Sequence, residues 1–184
     1  MPSPLGRDNA TATVLAGCLD TPLGEVMLGA TEHGLWEVVL PGLRPTPVLV
    51  EAARAQAGLP PAAPASARAA AHLETAVEQL DAFFAGKLRR FTVPLDLRTA
   101  GFYRQAQLAL AQIPYGGTET YGQLAARLGR PGAARAVGTA CATNPLPLLL
   151  PCHRVVAAGG VMGGYAGGLG QKEWLLRLEL GTLP

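Results

Sequence analysis

The chain has 184 residues, 49% of them hydrophobic and 5% aromatic, which suffices for one core or two small ones built mainly from aliphatic side chains. No apolar run approaches the ~18 residues that a membrane span needs, and the N-terminus "MPSPLGRDNA" lacks the features of a signal peptide. We therefore expect a cytoplasmic protein with no membrane partner. Three widely spaced cysteines, Cys18, Cys141 and Cys152, argue against a disulfide framework and against a CxxC zinc site.

The net charge of +2 is unevenly distributed along the chain. Residues 1–84 carry four Arg against nine Asp and Glu, whereas residues 85–184 carry eleven Lys and Arg against four acidic residues. This asymmetry indicates two units, of which the C-terminal one faces an anionic partner. Chance segregation of surface charge would give the same balance, so the pattern alone leaves the partner open.

The N-terminal half combines strand patterns with one clear helix. The runs "TATVLAGCLD", "GEVMLGA" and "GLWEVVLPG" are rich in Val, Leu and Thr, and the turn sequences between them predict antiparallel strands. A Pro- and Ala-rich stretch at about 43–66 is typical of a mobile linker, with room for a helical turn. Apolar residues then recur at helical spacing up to a stop at Gly86: Leu73, Val77, Leu80, Phe83 and Phe84.

The sequence of the C-terminal half predicts mostly helices. After an amphipathic helix that ends before Pro114, "TYGQLAARLGR" begins at a Thr120 N-cap and stops at Gly129. "PGAARAVGTACAT" follows at once, with Pro131 expected in its first turn. Two short helices so joined form a helix-turn-helix pattern with an Arg on the second helix. Many such pairs bind nothing, so DNA binding stays a hypothesis at this point.

These elements predict an α+β fold with two parts. Residues 1–94 are expected to form a small N-terminal unit, an antiparallel β-sheet with a helix and the Pro- and Ala-rich linker. Residues 95–184 are expected to form a mostly helical domain that contains the helix-turn-helix.

The stretch "PLLLPCHRVV" sets a cysteine beside a histidine and an arginine. Its leucines, enclosed by prolines, predict a buried extended run from which Pro151 turns the chain outward at Cys152. Positive neighbours lower the pKa of a thiol and favour the nucleophilic thiolate. Because successive side chains of an extended chain point to opposite faces, a turn or a water must connect His153 to the sulfur. Cys–His adjacency by itself is compatible with an inert packing cysteine.

The segment from Ile113 to Glu179 closely resembles the O6-alkylguanine-DNA alkyltransferases, also called methylated-DNA–protein-cysteine methyltransferases. The motifs "IPYG", "RAVG", "NPLP", "PCHRV", "GYAGG" and "KEWLLRLE" occur there in family order and without a gap. "LDTPLGEVMLGATEHGLWEV" resembles the family's N-terminal strands more loosely. The resemblance implies DNA repair, in which an alkyl group passes from O6 of guanine to a cysteine of the protein in a single turnover.

The resemblance also implies a set of catalytic residues. Cys152 would be the alkyl acceptor, and His153 would act on it as a general base through a water molecule. Glu179 would orient and polarise His153, and Asn144 would support the active-site turn. We expect no cofactor.

The implied partner is double-stranded DNA that contains O6-alkylguanine, and the target base must be extruded because O6 lies inside the duplex. By resemblance the second helix enters the minor groove, where Ala136 and Gly138 allow close approach. Arg135 would fill the gap left in the base stack, and Tyr121 would crowd the adjoining phosphate. Each residue has a simpler alternative role: Arg135 would be an ordinary phosphate contact, and Tyr121 an aromatic residue that packs between helices.

A base pocket is implied in the same way. Tyr165 would pack against the alkyl group or the guanine, with flanking glycines that let the loop come close. The carbonyl of Val155 and the N–H of Ala166 would contact the base, while Pro147 and Cys141 would form parts of the wall.

The chain departs from the family pattern at a few positions. Gln107 stands where many relatives carry Trp, which questions the packing beneath the DNA-binding unit. Members with an N-terminal structural zinc place Cys and His where this chain has Thr31 and Trp36, so we expect no metal. We also expect a monomer.

Two other functions are compatible with parts of the sequence. A non-catalytic sensor of alkylated DNA would keep the helix pair, but such relatives usually replace the cysteine by Trp, against which Cys152 argues. A cysteine hydrolase would use the Cys–His pair, but it needs an oxyanion hole and a route of acyl release, and no motif is dedicated to either.

Overall fold

The computed structural model of the chain describes residues 14–58 and 67–183. The first residues of "TATVLAGCLD" and the last part of the Pro- and Ala-rich stretch therefore lie outside the described residues. Three strands form an antiparallel sheet in the order β1-β2-β3: β1 Leu15–Thr21, β2 Gly24–Thr31 and β3 Gly34–Val39. The strands predicted from the Val-, Leu- and Thr-rich runs are confirmed.

One face of this sheet is covered by a long helix. Val26, Leu28 and Ala30 alternate along β2 and are fully buried, as expected for a strand with one face on the core. The helix α2, Ala67–Phe84, contributes buried Leu80 and Phe83 to the same core. The predicted helix is confirmed, and Gly86 ends it with a positive φ of 70° that glycine adopts without strain.

The structure differs from the expected linker in one part, because the helix α1 spans Pro47–Gly58. The hydroxyl of Thr46 accepts a hydrogen bond from the amide of Leu49 at 3.3 Å and donates one to the buried carboxylate of Glu37 at 2.6 Å. Leu49 itself is fully buried. A cap anchored to β3 and one buried leucine therefore hold a segment whose composition is typical of a loop.

The C-terminal half is mostly helical. Its helices are α3 Gly101–Leu110, α4 Tyr121–Arg127, α5 Ala134–Ala142 and α6 Leu169–Leu180, and its two short strands, β4 Glu119–Thr120 and β5 Val155–Val156, pair in parallel. No helix in the described ranges is long and apolar enough to cross a membrane.

The pair α4 and α5 forms the helix-turn-helix. Thr120 caps α4 as predicted: its hydroxyl accepts from the amide of Gln123 at 3.1 Å, and the Gln123 side chain accepts from the amide of Thr120 at 2.8 Å. The prediction for Pro131 was wrong, because α5 begins at Ala134 and Pro131 lies in the preceding turn.

Gln107, which stands where many relatives carry Trp, packs beneath the helix-turn-helix through hydrogen bonds. It is fully buried on α3, where its side chain donates to the carbonyls of Ala140 at 3.0 Å and Thr143 at 3.3 Å and accepts from the hydroxyl of Thr99 at 2.6 Å. These bonds satisfy the buried amide of Gln107. They also tie α3 to the C-terminal end of α5, whose last carbonyls have no partner within their own helix.

The two halves share one hydrophobic core. The amide of Val38 on β3 donates to the carbonyl of Pro145 at 2.8 Å, and the side chain of Gln171 on α6 donates to the carbonyl of Pro41 at 2.7 Å. The rings of Phe84 and Trp174, one from each half, lie 6.0 Å apart. The sheet is thereby attached to the segment that precedes Cys152.

The packing of α1 predicts unequal effects for two neighbouring apolar residues. Leu49→Ala is expected to lower the free energy of unfolding by about 2–5 kcal/mol, since it opens a cavity in the core. Val48→Ala, at a side chain that is 51% exposed on the same helix, should change it by about 0.5 kcal/mol or less. Urea unfolding of both variants measures the difference, and equal small effects would mean that α1 does not pack as described.

Candidate active site

The segment between Asn144 and Cys152 is a compact turn, which differs from the extended run expected from its sequence. Its leucines are buried as predicted, but Leu148 has a positive φ of 75° and the amide of Leu150 donates to the carbonyl of Leu146 at 2.9 Å. The Asn144 side chain spans this turn: its amide donates to Leu150 O at 2.6 Å and its oxygen accepts from Leu146 N at 3.1 Å. A non-glycine residue with positive φ costs energy, so such a turn needs this support.

Cys152 begins a short 3-10 helix, Cys152–Arg154, and only 5% of it is exposed. It lies on the wall of a cavity of about 270 Å³, which we call the thiol cavity. The residues that line it come from α4, α5, the 3-10 helix and the loop before α6: Tyr121, Gly138, Cys141, Ala142, Cys152, Gly164, Tyr165 and Ala166. Six of these were assigned to the site from the sequence, so the fold brings residues far apart in the chain to one cavity.

The pKa of the Cys152 thiol departs from the sequence expectation. Burial raises it above the ordinary value, although the Asn144 side chain, the backbone N–H groups of Cys152 and His153, and the ammonium of Lys172 act to lower it. The cation near the sulfur is thus Lys172, whereas the neighbouring Arg154 is engaged elsewhere. The thiol form is favoured in the closed site, and its deprotonation needs a base.

Lys172 belongs to the candidate site, although it was not among the residues predicted from the sequence. It is fully buried on α6, and its Nζ donates to the carbonyls of Val155 at 2.6 Å and Gly163 at 3.2 Å. Burial lowers its pKa, while nearby Cys152 and Cys141 raise it. A spacing of seven from Glu179 places both on one helix face, a signal that could have identified Lys172 as inward-facing.

Glu179 is the centre of a buried hydrogen-bond network. Its Oε1 accepts from His153 Nε2 and from Arg154 Nη2, both at 2.8 Å, and its Oε2 accepts from Arg154 Nε at 2.9 Å and from the amide of Gly116 at 3.0 Å. Burial acts to raise the pKa of this carboxyl, but the bonds from these donors prevail and lower it to about 2. Glu179 is therefore ionised at neutral pH.

This carboxylate determines which nitrogen of His153 can act as a base. Since Nε2 faces an ionised acceptor, it carries the proton, which leaves the lone pair on Nδ1. Nδ1 is buried and has no hydrogen-bond partner among the described residues. Burial lowers the pKa of His153 despite the opposite effect of Glu179, so the ring is neutral near pH 7. Because Nε2 binds Glu179 and Nδ1 has no partner within residues 14–58 and 67–183, the imidazole of His153 makes no direct hydrogen bond to the sulfur of Cys152, and the water bridge between them stays a prediction.

Cys141 shares the thiol cavity with Cys152 but has a different environment. Burial, followed by the charge of Cys152, raises the pKa of Cys141 to about 12, and Lys172 offsets this only in part. It lies in the last turn of α5, at the end of the helix where the dipole disfavours a negative charge. This thiol stays protonated at neutral pH.

The loop before α6 closes the cavity against α4. The hydroxyl of Tyr121 donates to Gly164 O at 3.4 Å, and a Cβ added to Gly163 would lie only 2.8 Å from the Tyr121 ring. Any larger residue at Gly163 would therefore force the Tyr121 side chain to shift. The Tyr165 hydroxyl is buried without a hydrogen-bond partner within the described ranges, so it can donate to a bound molecule.

The structure does not bring every expected residue to the cavity. Pro147 is buried in the turn and Val155 is fully buried, with its carbonyl already bound by Lys172, and neither lines the thiol cavity. On α5, Arg135 is exposed and Ala136 half-buried, both outside the cavity. Within residues 14–58 and 67–183, no group of three or more His, Cys, Asp or Glu side chains could hold a metal ion.

Known proteins share this architecture over both halves of the chain. Residues 14–97 match the family model of the 6-O-methylguanine DNA methyltransferase ribonuclease-like domain, and residues 101–181 match that of the 6-O-methylguanine DNA methyltransferase DNA-binding domain. A protein of Mycolicibacterium paratuberculosis named methylated-DNA–protein-cysteine methyltransferase is 54% identical over 104 residues, which cover 56% of this chain and 63% of that protein. A Methanosarcina acetivorans protein of the same name is 49% identical over 56% of this chain and 67% of its own length.

Solved structures extend the similarity to nearly the whole chain. The crystal structure of Mycobacterium tuberculosis O6-methylguanine methyltransferase is 37% identical, with a TM-score of 0.73, and covers 93% of this chain and 95% of that one. The same M. tuberculosis protein in complex with DNA gives a TM-score of 0.74 at 36% identity over 91% of this chain and 93% of that one. Two matched domains in order and a shared fold show that the chain belongs to the 6-O-methylguanine DNA methyltransferase family.

Proposed function

We propose that this protein repairs DNA by transferring the alkyl group of O6-alkylguanine to its own Cys152, once per protein molecule. The observation that carries the proposal is the buried Cys152 thiol on the wall of a cavity formed in part by the second helix of a helix-turn-helix. A nucleophile in such a cavity can reach a base only after the base has left the duplex. The M. tuberculosis relative has been solved in complex with DNA, which supports DNA as the partner.

The reaction is one displacement at carbon. The sulfur of Cys152 forms a bond to the alkyl carbon as the bond from that carbon to O6 of guanine breaks, and the electron pair of that bond goes to the guanine. The thiol proton moves to Nδ1 of His153 through a water molecule and is returned to the departing guanine. The products are a thioether on the protein and an unmodified guanine, so the atoms and charges balance and no cofactor is needed.

The surroundings of Cys152 fit this sequence of steps. The lone pair on His153 Nδ1 faces no other donor of the described chain, and ionised Glu179 stabilises the imidazolium that forms when it accepts the proton. Lys172 lies close enough to lower the pKa of Cys152 and so favours the developing thiolate. Burial keeps the unliganded thiol protonated, which confines the reactive form to the moment when a substrate occupies the cavity.

The leaving guanine also needs stabilisation. Tyr165 lines the thiol cavity with its hydroxyl unpartnered among the described residues, and burial raises the pKa of that hydroxyl, so it stays a donor. We assign it to a hydrogen bond with the guanine, in addition to the packing role expected from the sequence. The N–H of Ala166, in the same loop, is a second candidate donor.

We assign DNA recognition to α4 and α5. Arg135 is exposed, so it is free to enter the base stack in place of the extruded nucleotide, and the small Ala136 and Gly138 allow α5 to approach the minor groove closely. Tyr121 stands at the cavity wall, where it can act on the neighbouring phosphate as the base rotates. We further expect the protein to act as a monomer in the cytoplasm.

The first prediction separates the two thiols of the cavity. Cys152→Ala should abolish alkyl transfer and leave DNA binding largely unchanged, because the sulfur forms the new bond whereas phosphate contacts lie elsewhere. Cys141→Ser, the matched control on the facing wall, should keep stoichiometric transfer with a modest change in rate. Intact mass after incubation with DNA containing O6-methylguanine measures both, with peptide mapping to locate the added methyl group.

A methyl group recovered on Cys141 in comparable yield would contradict this division of roles. Binding of the damaged DNA by the unaltered protein without any gain in mass would instead favour a lesion sensor.

A second prediction concerns the buried carboxylate. Glu179→Gln should lower the free energy of unfolding at pH 7 by about 3–5 kcal/mol, because it leaves the buried charge of Arg154 uncompensated. Glu173→Gln is the matched control on the same helix, since its exposed contact with Arg177 at 3.8 Å is worth about 0–1 kcal/mol. Denaturant unfolding of both variants provides the comparison.

The pH dependence gives this prediction an independent check. The pKa of Glu179 is about 2 in the folded protein against an ordinary value of 4.5, so its stabilising effect is complete above 4.5 and is lost as the pH falls towards 2. The stability difference between Glu179→Gln and the unaltered protein should shrink over that interval. A difference that stays constant throughout would show that the carboxylate charge is not the cause.

A third prediction addresses base extrusion. Extrusion costs a few kcal/mol, and if Arg135 offsets about 1.4 kcal/mol of this, Arg135→Ala should slow transfer from duplex DNA about tenfold. Transfer from the free base O6-methylguanine should be unaffected, because no stack has to be refilled. Single-turnover rates on the two substrates test this, and equal losses on both would assign Arg135 to the chemistry or to the fold.

A further inference from the structure

A second cavity lies behind the active-site turn. It has a volume of about 160 Å³, and we call it the rear cavity; its lining includes Arg89, Arg90, Val93, Leu148, Pro151 and Arg154. Pro151 borders the rear cavity whereas the next residue, Cys152, borders the thiol cavity, and the two cavities have no lining residue in common. The rear cavity is therefore a separate feature that the proposed alkyl transfer does not use.

The rear cavity carries an excess of positive charge. Three of its lining residues are arginines and none is acidic. The charge of Arg154 is balanced by Glu179, but Arg89 and Arg90 are exposed and form no ion pair with any residue in the described part of the chain. Two uncompensated guanidinium groups at the rim of a concave site attract an anion.

Two of the three arginines, Arg89 and Arg154, are also held in position. The guanidinium carbons of Arg89 and Arg154 lie 5.6 and 5.7 Å from the centre of the Tyr115 ring, a cation–π arrangement that restrains both side chains. Arg154 is buried, and its bonds to Glu179 and to Ile113 O engage one N–H on each nitrogen. A guanidinium has five N–H donors, so Nη1 and Nη2 each keep one more for a bound anion.

The size of the cavity limits the ligand. Sites for drug-sized molecules have volumes of about 300–1,000 Å³, and the rear cavity is smaller than these. It can accept one compact group rather than a whole nucleotide. Arginine forks match the oxygens of a phosphate and bind it through two parallel hydrogen bonds.

We propose that the rear cavity binds a single phosphate group, supplied either by the backbone of DNA or by a free phosphate. Both sources present the same oxygens to Arg89, Arg90 and Arg154. The proposal does not rest on the alkyl-transfer reaction, because its readouts are binding measurements that do not require transfer.

The test compares a double variant with a control from the same segment. Arg89→Gln/Arg90→Gln removes both uncompensated charges of the rear cavity, whereas Lys87→Gln removes an exposed charge that does not line it. Thermal melts establish that each variant is folded, and Arg90→Glu alone replaces the double variant if that one melts early. Binding to an unmodified duplex is then measured as a function of salt, and binding of inorganic phosphate is measured by calorimetry.

A backbone phosphate in the cavity predicts that the slope of log Kobs against log salt decreases by about 0.9 in the double variant and not in Lys87→Gln. A free phosphate predicts an unchanged slope together with loss of calorimetric phosphate binding in the double variant. Either result supports the site and identifies its source.

Three results would overturn the proposal. The first is a double variant that equals the unaltered protein in both measurements. The second is an equal decrease in slope for Lys87→Gln, which would indicate a diffuse basic surface. The third is binding of a polyglutamate peptide that the double variant loses while both phosphate measurements stay unchanged, which would indicate an acidic protein partner.

Discussion

The half of the molecule that holds the candidate site depends on one buried carboxylate. Glu179 accepts hydrogen bonds from His153, Arg154 and the amide of Gly116, so it joins α6 to the Cys152 turn and to the loop before β4. An ionised group in the interior is tolerated only while its partners stay in place, and these partners are equally costly to leave unpaired. The three segments are therefore fixed relative to one another, and the same bonds set the proton position on His153. The hydrogen bonds to Glu179 thus determine both the packing of these segments and the protonation of His153.

The burial that organises the site also restrains its reactivity. Removing Cys152 from water raises its pKa, which opposes the thiolate that the proposed reaction requires. The fold compensates with groups that act on the charged form: Asn144, two backbone N–H groups and Lys172. In the proposed single-turnover reaction a protected thiol has an advantage, because a permanently exposed thiolate is open to oxidation before it meets its substrate.

Local rules account for much of the fold and long-range contacts for the rest. The alternation in β2, the apolar spacing of α2 and the Thr120 cap are short-range signals, and each predicted its element correctly. The helix α1 was not predicted, because it is supported by a single buried leucine and by a cap bonded to β3, and neither produces a periodic pattern in the sequence. The Leu148 turn was missed for a different reason: Asn144 stabilises it by side-chain bonds to Leu146 and Leu150 within the turn itself, and such bonds leave no periodic pattern in the sequence. The cysteine, histidine and glutamate of the candidate site came from family motifs, whereas the pairing of Arg154 with Glu179 required the fold.

The motif "KEWLLRLE" on the helix α6 supplies two of the charged residues of the candidate site. Lys172, Leu175 and Glu179 are buried on one face, at spacings of three and four, and the two charged residues contact opposite ends of the same segment. Lys172 binds the carbonyl of Val155, just after the 3-10 helix, and Glu179 binds His153 within it. At 1.5 Å per residue, Lys172 and Glu179 lie a little over 10 Å apart along the helix. The segment from His153 to Val155 is held between these two charges, and the buried Leu175 packs the same helix face into the core. The charge near the sulfur and the charge behind the imidazole are thereby set by a single rigid element.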